Sequence, residues 1–89
     1  MGAIFVGKKD KLIKRLKTKP KDFTFDEAET LLSYFEYERS DKGKTSGSRV
    51  CFKSSKYSPI MLHKPHPQKE LKDYQIKDLI EKLEGEGLI

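Results

Sequence analysis

The chain has 89 residues, which is enough for one domain with one modest hydrophobic core. Larger catalytic architectures, such as α/β barrels, need roughly 150 to 250 residues and are excluded. The 19 Lys and Arg residues exceed the 14 Asp and Glu residues, leaving a net charge of +5. This surplus has two readings, ordinary solubility or attraction to a polyanion such as nucleic acid.

The cysteine content and the apolar runs indicate a compartment. Cys51 is the only cysteine, so no internal disulfide can form, and this fits a reducing environment. No apolar run is long enough to cross a membrane, and the run at 3–6 is too short for a signal peptide. We expect a cytoplasmic protein without membrane contact.

The first third predicts a helix in two pieces. Residues 1–7 have no clear pattern and suit either a tail or a short extra strand. Asp10 is the candidate N-cap of the first piece, and Pro20 ends it. Thr24 and Glu27 have the spacing of a capping box, which starts the second piece. Both pieces have apolar residues at helical spacing, namely Leu12, Ile13 and Leu16, then Ala28, Leu31, Leu32 and Phe35.

The middle of the chain predicts three short strands, over 34–39, 48–53 and 59–63. A Gly, Ser and Lys loop separates the first two, and a turn over 54–58 separates the last two. Side chains alternate between the two faces of a strand. One face therefore carries Val50, Phe52, Ile60 and Leu62, and the other carries Arg49, Cys51, Lys53, Met61 and His63.

A final helix follows, with Asp73 as candidate N-cap and with Gly85 and Gly87 as stop signals. Its apolar residues, Ile76, Leu79, Ile80 and Leu83, fall on one face. The predicted fold class is α+β: a single domain over 1–89 with a split helix, a three-stranded antiparallel sheet and a last helix. Both helical regions would cover one sheet face and leave the other open.

Two local features have a functional and an ordinary interpretation. The loop 42–48 places lysines among small residues that let backbone N–H groups approach phosphates, with Lys44 and Ser48 as candidate contacts, but a flexible hairpin turn also explains it. His63 and His66 are the only imidazoles, and ordinary exposed histidines would look the same. They are too few for a metal site, so we expect no metal and no cofactor.

A third feature follows from the predicted second hairpin. If its turn centres on Lys56, Arg49 lies opposite His63 on the open face. Arginine can stabilise charge on a phosphate, and histidine can move a proton near neutral pH. The pair would therefore suit phosphodiester cleavage, although a register slip of one residue would separate them.

The run His66-Pro67-Gln68-Lys69-Glu70-Leu71-Lys72 resembles the HicA family, the RNA-cleaving toxins of HicA–HicB toxin–antitoxin systems. Tyr37-Glu38-Arg39 is similar to that family's aromatic strand, and Gly47-Ser48-Arg49-Val50-Cys51-Phe52 lies where the family has Gly-Ser-His-x-x-Phe. The terminal Gly87-Leu88-Ile89 also suits the family. The likeness extends from about residue 9 to residue 89. Arg49 stands where the family has its catalytic histidine.

The resemblance implies a double-stranded-RNA-binding-domain-like fold, an mRNA-cleaving activity and a HicB-like antitoxin as partner. Arg49 and His63 are then the catalytic candidates. The RNA-binding candidates are Lys44, Ser48, Lys53, His66 and Lys69. The attacking group could be the RNA 2′-hydroxyl or water. Two alternatives stay open: a module that binds RNA or antitoxin without catalysis, because its active site is degenerate, and a DNA-binding protein.

Overall fold

A computed structural model describes residues 7–40, 49–65 and 67–89. The described elements are three helices and three strands. In chain order they are α1 (Lys8–Lys17), α2 (Phe25–Tyr34), β1 (Glu38–Ser40), β2 (Arg49–Lys53), β3 (Ile60–His63) and α3 (Asp73–Gly85). The predicted α+β class is confirmed, as is the split of the first helical region. The prediction for residues 1–7 falls almost wholly outside the described residues.

The three strands form one antiparallel sheet in the order β1-β2-β3. In the β2–β3 pair, Arg49 is the Cα partner of His63 and Phe52 is the partner of Ile60. The predicted register of the second hairpin is therefore confirmed. In the β1–β2 pair, Glu38 is the partner of Lys53 and Ser40 is the partner of Cys51.

One hydrophobic core joins the sheet to the helices. The inward residues of β2 and β3 are buried, as the alternation predicts: Val50, Phe52, Ile60 and Leu62. Buried residues of α2 and α3 belong to the same core: Phe25, Ala28, Leu31, Leu32, Ile76, Leu79, Ile80 and Leu83. Since the alternate strand residues are exposed or half-buried, both helices cover the same face of the sheet.

Helix α1 starts earlier than predicted. Its N-cap is Gly7, whose carbonyl accepts the backbone N–H of Lys11 at 3.1 Å, so the prediction that Asp10 caps the helix is wrong. Asp10 lies in the first turn, where its negative charge is still favourable beside the positive end of the helix dipole. The helix ends at Lys17, and Lys19 then has a positive φ of 54°.

The capping box that begins α2 is confirmed. The Thr24 hydroxyl accepts the backbone N–H of Glu27 at 3.1 Å, and the Glu27 carboxylate accepts the backbone N–H of Thr24 at 2.9 Å. The strand predicted over 34–39 starts later, at Glu38, because α2 continues through Tyr34 and the chain reverses at Glu36, whose φ is 66°. Aromatic content alone therefore predicted a start for this strand that is four residues too early.

Helix α3 departs from prediction at its start, whereas it ends at Gly85 and Gly87 as predicted. Lys72 is the N-cap and Asp73 is the first helical residue, because the Gln75 side chain accepts the Lys72 backbone N–H at 2.9 Å. Gly85 is the last helical residue, and Gly87, with a φ of 76°, turns the chain. The N–H of Leu88 then bonds to the carbonyl of Leu83 at 2.9 Å, a common way to end a helix. No helix in the described ranges is both long and apolar enough to span a membrane.

Candidate nucleic-acid interface

The side of the sheet away from α2 and α3, which we call the open sheet face, carries the best candidate site. Its described residues are Glu38, Ser40, Arg49, Cys51, Lys53, Met61 and His63. Arg49 and His63 are both exposed and sit directly opposite each other on neighbouring strands. Cβ atoms of such partners lie about 4.5–5.5 Å apart, so one phosphate group can reach both side chains.

A buried glutamine fixes the backbone at His63. Gln75 is only 5% exposed, and its side-chain amide nitrogen donates to the His63 carbonyl at 2.8 Å. The oxygen of the same amide accepts the Lys72 backbone N–H at 2.9 Å. Gln75 therefore ties the end of β3 to the start of α3. Both of its polar atoms are satisfied, as a buried amide requires.

The connection between β3 and α3, residues 64–72, is held against the start of α2. The Lys69 carbonyl accepts the backbone N–H of Phe25 at 3.0 Å, and the Leu71 N–H donates to the Phe23 carbonyl at 2.8 Å. The Lys64 ammonium lies 5.8 Å from the centroid of the Phe25 ring. These bonds hold the part of the connection that is nearest to α3. They fix the backbone of Lys69, whose side chain is exposed.

The predicted site residues divide into two groups. Arg49, His63 and Lys53 share the open sheet face, with Lys53 at the opposite end of β2 from Arg49. Lys69 does not belong to that face, since it lies in the connection beside α2. The predictions for Lys44, Ser48 and His66 fall outside the described residues.

Charge on the open sheet face is modest. Lys53 has Glu38 as its Cα partner on β1, so a carboxylate offsets its charge. The middle of the face is apolar, with Cys51 half-buried and Met61 40% exposed. Arg39, the strand residue between Glu38 and Ser40, points to the covered side, where its guanidinium lies 3.6 Å from Glu29. The described part of this face is therefore less basic than the whole-chain charge implied.

The basic surplus lies elsewhere, in a stretch whose charge the sequence interpretation did not consider. Residues 8–22, which we call the basic segment, hold eight Lys or Arg and two Asp, a net charge of +6. Because the whole chain carries +5, the remaining residues sum to −1. The charge density was visible in the sequence, but the interpretation there concentrated on the apolar stripe of the helix.

The one arginine of the basic segment is structural. Arg15 bonds to Glu27 at 2.7 Å and to Asp22 at 2.8 Å, and its guanidinium lies 5.3 Å from the Phe23 ring centroid. Removal of the guanidinium from water disfavours its charged form and lowers the pKa of Arg15. The Glu27 and Asp22 carboxylates outweigh this effect, so the pKa is raised. The residue therefore joins α1 to α2, and two carboxylates engage its charge.

Comparisons with known protein families, with curated proteins and with solved structures find no match to this chain. The HicA resemblance, and the classification of the fold that it implies, therefore stay predictions from the sequence motifs. Within the described ranges, no three His, Cys, Asp or Glu side chains come together as a metal site would need.

Proposed function

We propose that this protein is an RNA-binding toxin of the HicA type, with a double-stranded-RNA-binding-domain-like fold, and that it cleaves mRNA at the open sheet face. The observation that carries the proposal is the exposed Arg49–His63 pair, held on neighbouring strands in the register that the sequence predicts. Arginine and histidine on one rigid platform supply charge stabilisation and proton transfer to the same phosphodiester.

Arg49 would donate hydrogen bonds to the non-bridging oxygens of the scissile phosphate, where negative charge grows as the nucleophile attacks. His63 would take the proton from the nucleophile, which is either the adjacent 2′-hydroxyl or a water molecule. A new P–O bond forms as the bond to the 5′-oxygen breaks, and the departing oxygen takes a proton from the imidazolium or from solvent. Lys53 and Lys69 would bind neighbouring phosphates.

A HicB-like antitoxin would inhibit such a toxin by covering the open sheet face. The half-buried Cys51 and the partly exposed Met61 give that face an apolar centre between charged ends. This distribution suits a protein interface, where an apolar middle is surrounded by polar residues. The identity of the partner class comes from the resemblance.

The proposal is tested by expressing the protein without any antitoxin. We expect the wild type to arrest growth and to deplete mRNA, and we expect His63→Ala to abolish both effects, because a positioned acid or base contributes roughly 100- to 10,000-fold in rate. Lys56→Ala is the control, since Lys56 lies in the turn before β3 and pairs with Glu36 at 3.0 Å. Undiminished toxicity of His63→Ala, at equal protein level, contradicts the proposed role.

A non-catalytic RNA-binding module is the second candidate. The observation in its favour is the residue at position 49, where this chain has Arg in place of the family's catalytic histidine. In that case the purified protein would retain RNA affinity and leave a labelled transcript intact. Competition with DNA of equal length, at a fixed salt concentration, separates RNA binding from DNA binding.

A further inference from the structure

The basic segment has more positive charge than its neighbours neutralise. Among the described residues, all seven lysines of the segment are exposed and none forms an ion pair: Lys8, Lys9, Lys11, Lys14, Lys17, Lys19 and Lys21. Its arginine, in contrast, makes two ion pairs. Arg15 thus stabilises the fold through its ion pairs, whereas the lysines of the segment face solvent.

These lysines lie apart from the open sheet face. Helix α1 contacts α2 and α3, the two helices on the covered side of the sheet. Its buried Leu16 and half-buried Leu12 point toward them, so the opposite side of the helix carries Lys11 and Lys14. Lys11, Lys14 and Lys17 follow one another at three-residue spacing, which places them about 4.5 Å apart along the helix axis.

The free lysines have different surroundings. Lys17 and Lys19 line a surface groove together with Lys77, Glu81 and Glu84 of α3. Those carboxylates reduce the potential at that end of the segment. Lys11 lines another groove with Asp26 and Glu27, and Lys14 lines neither of these two grooves. Lys14, on the outward side of α1, is therefore away from the carboxylates of both grooves.

Lys19 adds a backbone observation. Its φ of 54° lies in the left-handed region that glycine adopts most easily, and its N–H bonds to the Leu16 carbonyl at 2.9 Å to end α1. A lysine thus occupies a position where glycine would fit with less strain. Replacement of Lys19 by glycine therefore removes one cation of the segment without disturbing the end of the helix.

We propose that the basic segment is a second nucleic-acid-binding surface, which takes the phosphate backbone and reads no bases. Lysine ammonium groups on flexible stems act as point charges, which suits sequence-independent binding of a polyphosphate chain. The assignment of RNA as the natural ligand rests on the proposed function. The surface would hold a length of backbone away from the cleavage site, so it raises affinity without taking part in the chemistry.

The test compares two double variants that remove the same charge. Lys11→Gln/Lys14→Gln changes the basic segment, and Lys56→Gln/Lys82→Gln changes two lysines that pair with Glu36 and Asp78. Binding of a labelled single-stranded RNA, and of DNA of equal length, is measured by fluorescence anisotropy over a range of salt concentrations. We expect the first variant to flatten the log–log salt slope by about 1.4, since each lost phosphate contact on a single strand contributes about 0.7.

The control variant should keep the wild-type slope. If Lys11→Gln/Lys14→Gln loses the same affinity for RNA and for DNA, the surface binds the phosphate backbone that both share. If only the affinity for RNA falls, the surface is specific for RNA. Equal slopes for the two double variants would overturn the proposal, because the effect would then follow net charge alone.

Lys19→Gly separates binding from folding. The substitution relieves the left-handed backbone, so the melting temperature should stay the same or rise while RNA affinity falls. Unchanged affinity in this variant, together with unchanged affinity in Lys11→Gln/Lys14→Gln, contradicts the proposal. The rate of any cleavage at saturating RNA should equal that of the wild type in both variants. An absence of cleavage in the wild type would reject the catalytic function and leave this binding test intact.

Discussion

The open sheet face and the basic segment are both cationic, but they are built differently. The open sheet face has few charges, and a strand register fixes its arginine and histidine relative to each other. The basic segment has a net charge of +6 and no register that relates its lysines to a reacting group. Charge density supports binding, whereas catalysis needs fixed geometry. The proposed chemistry therefore belongs to the less charged surface.

The two surfaces depend on one core, and loss of that core should break both. Phe52 is 1% exposed, and its ring centroid lies 6.1 Å from that of Phe25. Phe52→Ala leaves a cavity beneath the sheet, so we expect the free energy of unfolding to fall by about 3–5 kcal/mol. Urea denaturation measures the loss.

Met61→Ala is the matched control on the opposite side of the sheet, where the side chain is 40% exposed. It should cost less than about 1 kcal/mol. Similar losses in the two variants would mean that the sheet does not have one buried and one open face.

Substitution of Gln75 should affect the open sheet face and leave the basic segment intact. Gln75→Glu keeps an oxygen for the Lys72 N–H but loses the donor to the His63 carbonyl. We expect a loss of about 1–3 kcal/mol in stability, because the buried side chain at position 75 loses a hydrogen bond and places a carboxylate oxygen beside the His63 carbonyl. Any cleavage rate should also fall, because the end of β3 is no longer fixed.

The salt dependence of RNA binding distinguishes the two surfaces in this variant. The slope should match the wild type, since Gln75 does not belong to the basic segment. Full cleavage by a correctly folded Gln75→Glu protein would show that the bond to His63 does not position the histidine.

Tyr37 offers a smaller effect that should leave both surfaces unchanged. Its hydroxyl donates to the Ser58 carbonyl at 2.7 Å, and Tyr37→Phe removes this bond at a cost of about 0.5–1.5 kcal/mol. Burial, with help from the Glu86 and Tyr57 charges, raises the pKa of Tyr37 above its ordinary value of 10.0. The neutral phenol is therefore favoured by folding.

The sign of the pH effect follows from that shift. The stabilising contribution is fully present below the ordinary pKa and is lost as the pH rises through the higher pKa of the folded protein. The free energy of unfolding of the wild type should therefore fall at alkaline pH, and Tyr37→Phe should show a smaller fall. An identical dependence of stability on alkaline pH in the two proteins would contradict the raised pKa of Tyr37.

The sequence predicted those features that depend on repeating patterns. The alternation in 49–53 and 60–63, together with a turn centred on Lys56, placed Arg49 opposite His63, because a two-residue period allows few registers once one face must be buried. The capping box at Thr24 was also predictable, since both partners lie within four residues. Local signals of this kind are strong when no other residue competes for the same bond.

Features that depend on competing partners were predicted wrongly or missed. Asp73 was preferred as a cap by residue type, but Gln75 satisfies the N–H of Lys72 instead. The bond from Gln75 to the His63 carbonyl joins residues 12 apart and has no periodic signal. The distribution of charge could have been counted from the sequence, but the finding that Lys11 and Lys14 form no ion pair with the part of the chain that the structure describes could not.

The central claim is that the Arg49–His63 pair on the open sheet face cleaves RNA. The most direct measurement is single-turnover cleavage of a labelled RNA by the purified protein, with wild type, Arg49→Ala, His63→Ala and Lys56→Ala compared at saturating protein. We predict cleavage by the wild type and by Lys56→Ala, and a loss of at least about 100-fold in His63→Ala. Equal cleavage rates in wild type and His63→Ala, or RNA left intact by the wild type, would contradict the claim.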